Sequence, residues 1–502
     1  ASKVENNEDF TEFTIHLRKG VKWSDGHPFT TEDILFWYND ILQNKELKPS
    51  INSRYKANGE LMELTALDDY TFKIKYASSV SDFYKSFAKW TQFGRILSPK
   101  HYLKDFHPKY TSKDVLDKRV EESGFNAWYE LFAARDDRYC EISAVVGEPT
   151  LAPYVAVKYN SSRRVYERNP YYWKVDKEGN QLPYIDRVEV EVASDPEVVT
   201  GKIISGEIDW NGFLTSTSNY PLYKEYEEKA GYRTMLWPTG KGSEVVYTFN
   251  LSSKDEGLRE IFQNVDFRRA MSLAINRDEI NESLYFGKAE PRQFTVVNSS
   301  KFFEPEFATS YAQHDPEKAK KMLESIGLVD RDGDGFRERP DGSKLIITNE
   351  FRAGKEGALK LANAELVAEY WKDVGIDVRL KQISSELWTT RRKGNQIDLT
   401  LTHGDMTNDM LFPVSNPLLQ INLGGTAWQH WTMHRLNDIE LEIPIMEEVQ
   451  NLFDLDNEYA SAIDPNEKMK IAKDMLKSQA ENIWIIGTVG NGHRKAVCFK
   501  VC

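Results

Sequence analysis

The stretch from Lys344 to Thr402 constrains the fold of this chain more than any other. It reads "KLIITNEF", "LKLANAELVAEYWKDVG", "IDVRLKQI", "SELWTTRRKG" and "IDLTLT" in succession. The first, third and fifth pieces are short and apolar, and Ile376, Val378 and Leu380 alternate as a half-buried strand requires. The second and fourth read as helices. Strand–helix–strand connections of this length predict parallel pairing, because a helical crossover returns the chain to the same edge of a sheet. Upstream, "DPEKAKKMLESIG" is a punctuated helix: Asp315 caps it, Pro316 takes its first turn and Gly327 ends it. Ala319, Met322, Leu323 and Ile326 form its apolar stripe. In "NVDFRRAMSLAINRDEI", Phe267, Ala270, Met271 and Ala274 recur at helical spacing, and Asn276 is placed to cap the helix that follows.

A second α/β segment lies earlier. "SRRVYERN" and "DRVEVEV" read as strands around an aromatic, Pro- and Gly-rich loop; "PEVVTGKIIS" reads as a helix and "IDW" as a buried strand. Two α/β segments in one chain predict two lobes with a ligand cleft between them. The loops after Trp210 and Thr402 would be its walls, beyond the carboxyl ends of the strands. The N-terminal stretch adds a strand (Phe13, Ile15, Leu17), the turn "SDGHP" and a helix presenting Ile34, Trp37, Tyr38, Ile41 and Leu42 on one face. Thr30 and Asp33 have capping-box spacing, with Asp where Glu is usual.

The net charge of -13, without a Lys/Arg stripe, argues against a nucleic-acid partner. No apolar run reaches the roughly 20 residues that span a bilayer. Cys140, Cys498 and Cys502 make no disulfide framework and read as incidental thiols.

The phrase "FTIHLRKGVKWSDGHPFTTEDI" closely resembles the signature of the bacterial extracytoplasmic solute-binding proteins of family 5, the binding partners of ABC importers. "VDFRRAMSLAINRDEI", "DPEKAKKMLESIG" and "AELVAEYWKDVGIDVRLKQIS" resemble further motifs of that family, in its order. "ERNPYYWKVDKEGNQLPYIDRVEVE" resembles a variant associated with oligosaccharide binders. The resemblance implies an α/β, two-lobed periplasmic-binding-protein-like fold with an extra subdomain. It implies an extra subdomain with part of lobe 1 over 1–150, the lobe 1 core over 151–250, lobe 2 over 251–481 and a return to lobe 1 over 482–502. "VVYTFN" and "NIWIIGTVG" would be the hinge strands. The motifs imply a family member lacking pieces at both ends, with secretion and a lipid anchor expected outside this sequence. The implied role is to capture an oligopeptide, or alternatively an oligosaccharide, outside the cytoplasm and deliver it to the transmembrane subunits of a permease, with no catalysis and no required cofactor.

For ligand contacts, the resemblance points to an aspartate after "IDLTLT" that pairs with a peptide's amino end. Asp405 leads and Asp409 competes; the ordinary alternative is a solvated loop aspartate. Trp210, Trp388, Trp428 and Trp431 offer flat faces for a sugar or a side chain, against the alternative of core packing. In "DRDGDGFRERPDG", Asp330, Asp332, Asp334, Glu338 and Asp341 have nearly the ligand spacing of a calcium loop. The flanks are a helix end and a strand rather than two helices, so a polar turn competes with a structural calcium. His430 and His434 in "HWTMH" sit one helical turn apart but lack a third zinc ligand; His16, His27 and His403 read as structural. No G-x-S-x-G, P-loop or G-x-G-x-x-G occurs, but carboxylates are abundant enough to hold a glycosidase pair, and a secreted hydrolase is the rival from another class.

Overall fold

The structure, a computed structural model, describes the chain apart from residues 50, 89–95, 137, 140, 141, 144, 194, 213, 214, 216–218, 239, 354–356, 420–423, 437, 438, 492, 501 and 502. Cys140 and Cys502 lie outside the described residues, as does the side chain of Cys498. The chain divides into two compact units, Ala1–Ser194 with Ala460–Ile463, and Asp195–Tyr459 with Asp464–Cys502. That division falls at 194/195, whereas the motif-based segments expected lobe boundaries near 250 and 481.

In the first unit, β1 (Lys3–Asn6), β2 (Glu12–His16), β3 (Glu63–Asp68) and β4 (Thr71–Lys75) form an antiparallel sheet in the order β1-β2-β4-β3. Phe13 and Ile15 of β2 and Phe72 and Ile74 of β4 are buried, so the alternation read from sequence is the core-facing pattern. Helix α1 (Thr31–Phe36) starts at the expected box: Glu32 N donates to Thr30 Oγ1 at 3.3 Å and Thr30 N to Asp33 Oδ2 at 3.2 Å. The chain continues as a π turn over Trp37–Leu42, and Ile34, Trp37, Ile41 and Leu42 are buried. Gly26 of "SDGHP" needs its freedom twice. Its φ is +89°, and an added Cβ would lie 3.1 Å from the Tyr171 ring.

Strands β5 (Tyr154–Tyr159), β6 (Arg163–Arg168) and β7 (Arg187–Glu191) form a second antiparallel sheet in the order β7-β6-β5. The aromatic loop joining β6 to β7 is braced by Asp176. Its carboxylate accepts from Glu178 N at 2.9 Å, Asn180 N at 2.8 Å, Asn180 Nδ2 at 2.9 Å and Tyr184 Oη at 2.6 Å.

The second unit begins with α2 (Pro196–Ile204), β8 (Trp210–Asn211), β9 (Tyr232–Pro238) and β10 (Ser243–Phe249). Then come α3 (Val265–Leu273), α4 (Pro316–Ser325), β11 (Ile346–Arg352), α5 (Gly357–Asp373), β12 (Asp377–Ile383), α6 (Ser385–Lys393) and β13 (Leu399–Gly404). It closes with α7 (Gln429–Arg435), β14 (Ile486–Gly487) and β15 (His493–Lys500). The main sheet has the order β12-β11-β13-β10-β14. Strands β12, β11 and β13 run parallel, as the helical crossovers require, while β10 is antiparallel to both β13 and β14. Asp315 caps α4 through Lys318 N at 2.9 Å, and Asn276 caps the next predicted helix through Glu279 N at 3.1 Å.

Two expectations are corrected here. The earlier strand–helix–strand does not make a parallel pair, because β7 belongs to the antiparallel sheet of the first unit and β8 pairs antiparallel with β15. Being two residues long at a sheet edge, β8 buries little, and Trp210 is 51% exposed. "VVYTFN", expected as a hinge strand, is β10, a buried strand between β13 and β14.

Candidate functional site

The parallel strands of the second unit end together at one edge of the main sheet. Arg352 closes β11, His403 and Gly404 close β13 beside it, and Asp405 follows. The first residue of β10, Ser243, lies opposite Gly404. This edge is where an open α/β sheet presents its ligand loops, since the strand ends splay and leave backbone groups and loop side chains facing outward.

The loop after β13 is held firmly. Met406 adopts a left-handed conformation with φ +65°. Thr407 is buried; its Oγ1 accepts from Gly242 N at 2.7 Å and donates to Gly240 O at 3.1 Å. Gly242 has no room for a side chain, since a Cβ there would lie 1.7 Å from Thr295 O. Asp409 accepts from Ser300 Oγ at 2.5 Å and Lys301 N at 3.3 Å, so it fastens this loop to a neighbouring one. Asp405 is half-buried and pairs with His403 Nε2 at 2.8 Å. Of the two candidate aspartates, Asp409 is committed to the scaffold, while Asp405 is carried at the strand end.

Helix α6 packs against β11 and β13. Trp388 is fully buried and its Nε1 donates to Thr400 Oγ1 at 3.0 Å. The Arg352 guanidinium lies 4.7 Å from its ring centre and that of Arg392 5.6 Å. Arg391 beside them is satisfied by Glu350, through bonds of 2.6 and 2.7 Å. Arg392 is not: at 2% exposure its Nε and Nη1 have no hydrogen-bond partner, nor has the buried Thr402 hydroxyl on β13. Burial pulls the Arg392 pKa below the ordinary arginine value, and the Arg352 charge lowers it further. Two adjacent cations, one with unspent donors in a dry environment, favour an anionic group at this edge.

The sequence did not single out Arg352 or Arg392. The available signal was spacing: Arg392 follows Trp388 by four residues, which places a charged residue on the buried stripe of α6.

The tryptophans separate. Of the four candidates, Trp210 alone is exposed. Trp388 packs as above. Trp428 is fully buried, with edge-on contacts to Phe453 at 6.3 Å and Trp484 at 5.7 Å. Trp431 is fully buried and its Nε1 donates to Ile443 O at 3.0 Å. The last three are interior residues of the second unit, as large rings on apolar helix faces usually are, and expose no flat face.

Elsewhere in this unit, Asp330, Asp332, Asp334 and Glu338 bring four carboxylate oxygens within 4.8 Å of one another. Asp341 is not among them; its carboxylate caps a separate turn through Ser343 N at 2.9 Å and Ser343 Oγ at 2.7 Å. The donors are of the kind a hard divalent cation takes. The loop also braces itself. Asp330 accepts from Gly333 N at 2.7 Å and Gly335 N at 3.0 Å, and Lys344 Nζ sits 2.7 Å from Asp334. Its flanks are the end of α4 and the start of β11, not two helices.

Among the described residues no helix is long and apolar enough to cross a membrane. Comparison with known proteins matches residues 1–420 to the model of bacterial extracellular solute-binding proteins, family 5. A periplasmic alpha-galactoside-binding protein of Rhizobium meliloti is 25% identical, over 96% of this chain and 67% of that protein. The oligopeptide-binding protein OppA of Bacillus subtilis is 25% identical, over 76% of this chain and 62% of that protein. The chain thus spans about two thirds of the length of the curated relatives it matches. A solved oligopeptide-binding protein OppA superposes with a TM-score of 0.71 at 35% identity, covering all of this chain and 80% of that one. The periplasmic binding protein MelB of Agrobacterium fabrum, solved with stachyose, gives 0.73 at 24% identity, over all of this chain and 72% of its own. The α/β periplasmic-binding-protein-like fold expected from the motifs is the fold of these proteins, and the chain belongs to the bacterial extracellular solute-binding proteins of family 5.

Proposed function

We propose that this protein captures an oligopeptide outside the cytoplasm and delivers it to the transmembrane subunits of an ABC importer. The observation that carries the choice of peptide is the presence of charges of both signs near the ends of β11 and β13. Arg352 ends β11 and shares the Trp388 indole with Arg392 of α6, and Asp405 follows the end of the adjacent β13. A peptide is a zwitterion; its carboxylate suits the unspent guanidinium donors and its amino group the aspartate. A neutral sugar leaves buried charge without a partner. The solved OppA at 35% identity supports the same choice.

The oligosaccharide reading rests on the alpha-galactoside-binding relative and on Trp210, whose ring is exposed. The deciding experiment is native mass spectrometry of protein purified without refolding. It is followed by thermal shifts with peptides, their C-terminal amides and neutral oligosaccharides. Peptides are expected to raise the melting temperature and amides to raise it less. Stabilisation by neutral sugars with none by peptides would reverse the assignment. Steady release of products from either would instead establish the hydrolase. For the acidic loop we propose a structural calcium ion on Asp330, Asp332, Asp334 and Glu338, with no part in solute capture.

A further inference from the structure

Both histidines of "HWTMH" are used in hydrogen bonds. His430 is buried, and its Nε2 accepts from Glu442 N at 3.0 Å and Ile443 N at 3.3 Å. An imidazole nitrogen that accepts carries no proton, so the proton of neutral His430 is on Nδ1. One turn on, His434 Nδ1 donates to Ile439 O at 3.2 Å. Between them Trp431 Nε1 reaches Ile443 O. Three side chains of α7 therefore clip down the segment 439–443, and Trp431 is fully buried. The segment itself carries Ile439 and Leu441 largely exposed, with Leu436 beside them.

The two histidines respond oppositely to a proton. A protonated His434 still donates from Nδ1. A protonated His430 carries N–H on Nε2, facing two backbone N–H donors, so both accepted bonds are lost together. The His430 backbone is fixed by Ser252 Oγ at 3.0 Å, which prevents the ring from backing away with its helix. The charged groups around it are Glu442 on the segment, which favours the cation, and His434 on α7 and Lys254 on the turn after β10, which oppose it. Burial, the largest influence, joins the two cations against Glu442 and holds the pKa below the ordinary histidine value.

We propose that residues 439–443 form a proton-operated strap: closed while His430 is neutral, and released when Nε2 is protonated, uncovering Trp431. The sign follows from linkage. The clipped state excludes the proton and the released state accepts it, so closure is undiminished above the free histidine value near 6.5 and weakens as pH falls below it.

The test is amide exchange of the whole chain at pH 7.5 and 5.0, corrected for intrinsic rates. Protection at Glu442 and Ile443 should fall about tenfold or more on acidification, a change of one or more pK units in effect, with a rise in Trp431 quenching. In His430→Gln the amide oxygen accepts without titrating, so protection should persist at both pH values. His434→Gln should keep the acid response. Unchanged protection in the wild type, or the same acid loss in His430→Gln, overturns the proposal. Should His430→Gln not fold, nitrogen NMR of the wild-type ring decides: Nε2 must be unprotonated at pH 7.5, and a proton there refutes the strap.

Discussion

Trp428 distinguishes a core ring from a ligand platform, and two substitutions at it have different expected costs. Its indole packs edge-on against Phe453 and Trp484, is fully buried, and its Nε1–H finds no acceptor. Trp428→Ala removes the whole ring from a closed interior and should cost about 3–5 kcal/mol through lost transfer energy and a cavity. In a unit of this size that lowers the melting temperature by on the order of 10 °C. Trp428→Phe behaves differently. It leaves a smaller void, costing about 1–2 kcal/mol, but it also removes a buried N–H without a partner, which by itself costs about 1–3 kcal/mol. The two terms offset, so Trp428→Phe should lie within about 1 kcal/mol of wild type. Denaturant unfolding followed by far-UV circular dichroism measures both. Calorimetric titration with the captured solute at 15 °C, where both variants remain folded, should give affinities within a factor of about two of wild type. A tenfold loss of affinity in Trp428→Phe with unchanged stability would show that the ring touches solute. Equal destabilisation by Phe and Ala would show that the N–H is not orphaned.

Gly487→Ala should be strongly destabilising, by at least about 2 kcal/mol, because the new methyl would meet the backbone at 2.3 Å from Phe294 N and 2.7 Å from Gln293 C, neither of which is a flexible tip; thermal unfolding checks it. Hydrogen bonds from Tyr184 Oη and Asn180 Nδ2, with those from the backbone N–H groups of Asn180 and Glu178, pull the Asp176 pKa down to about 2. Order in the loop joining β6 to β7 should therefore hold above the free aspartate value near 3.9 and be lost as pH falls through about 2; a Tyr184 ring NMR signal unchanged from pH 5 to pH 1.5 would contradict it. Calcium chelation should lower the melting temperature while leaving solute affinity unchanged in protein that stays folded, whereas calcium-dependent affinity would place the ion elsewhere. Amides of β6 and β7 should exchange faster than those of β12 and β13, since β7 is largely exposed and β13 is buried within a five-stranded sheet.

Local chemistry was legible where one or two neighbouring residues decide the outcome. Thr30 with Asp33, Asp315 with Pro316, and Asn276 announce helix starts because a cap needs only a short acceptor at one position. Alternation in β2, β4 and β12 announces strands because side chains point to opposite faces every residue. The parallel order of β12, β11 and β13 followed from the helices between them. Pairing that depends on distant segments was hidden. "IDW" looks like any buried strand, and its exposure follows from β15, nearly three hundred residues later, taking the inner place in that sheet. "VVYTFN" reads as a strand, and only the arrival of β13 and β14 on its two sides makes it a central one.

For the site, the sequence determined which residues stand at strand ends: Asp405 follows "IDLTLT" whatever packs around it. It also determined the carboxylate spacing from Asp330 to Glu338, because a short polar turn dictates its own geometry. Only the tertiary structure decided that Asp409 is spent on Ser300, that Trp388, Trp428 and Trp431 are interior, and that Asp341 turns away from the acidic cluster. It alone set Arg392 beside Arg352 on one indole and turned His430 from a candidate ligand into a clip. The physical reason is the same in each case. What a polar or aromatic side chain does depends on its solvation and partner, and both are supplied by residues far away in sequence that the fold brings within a few ångströms.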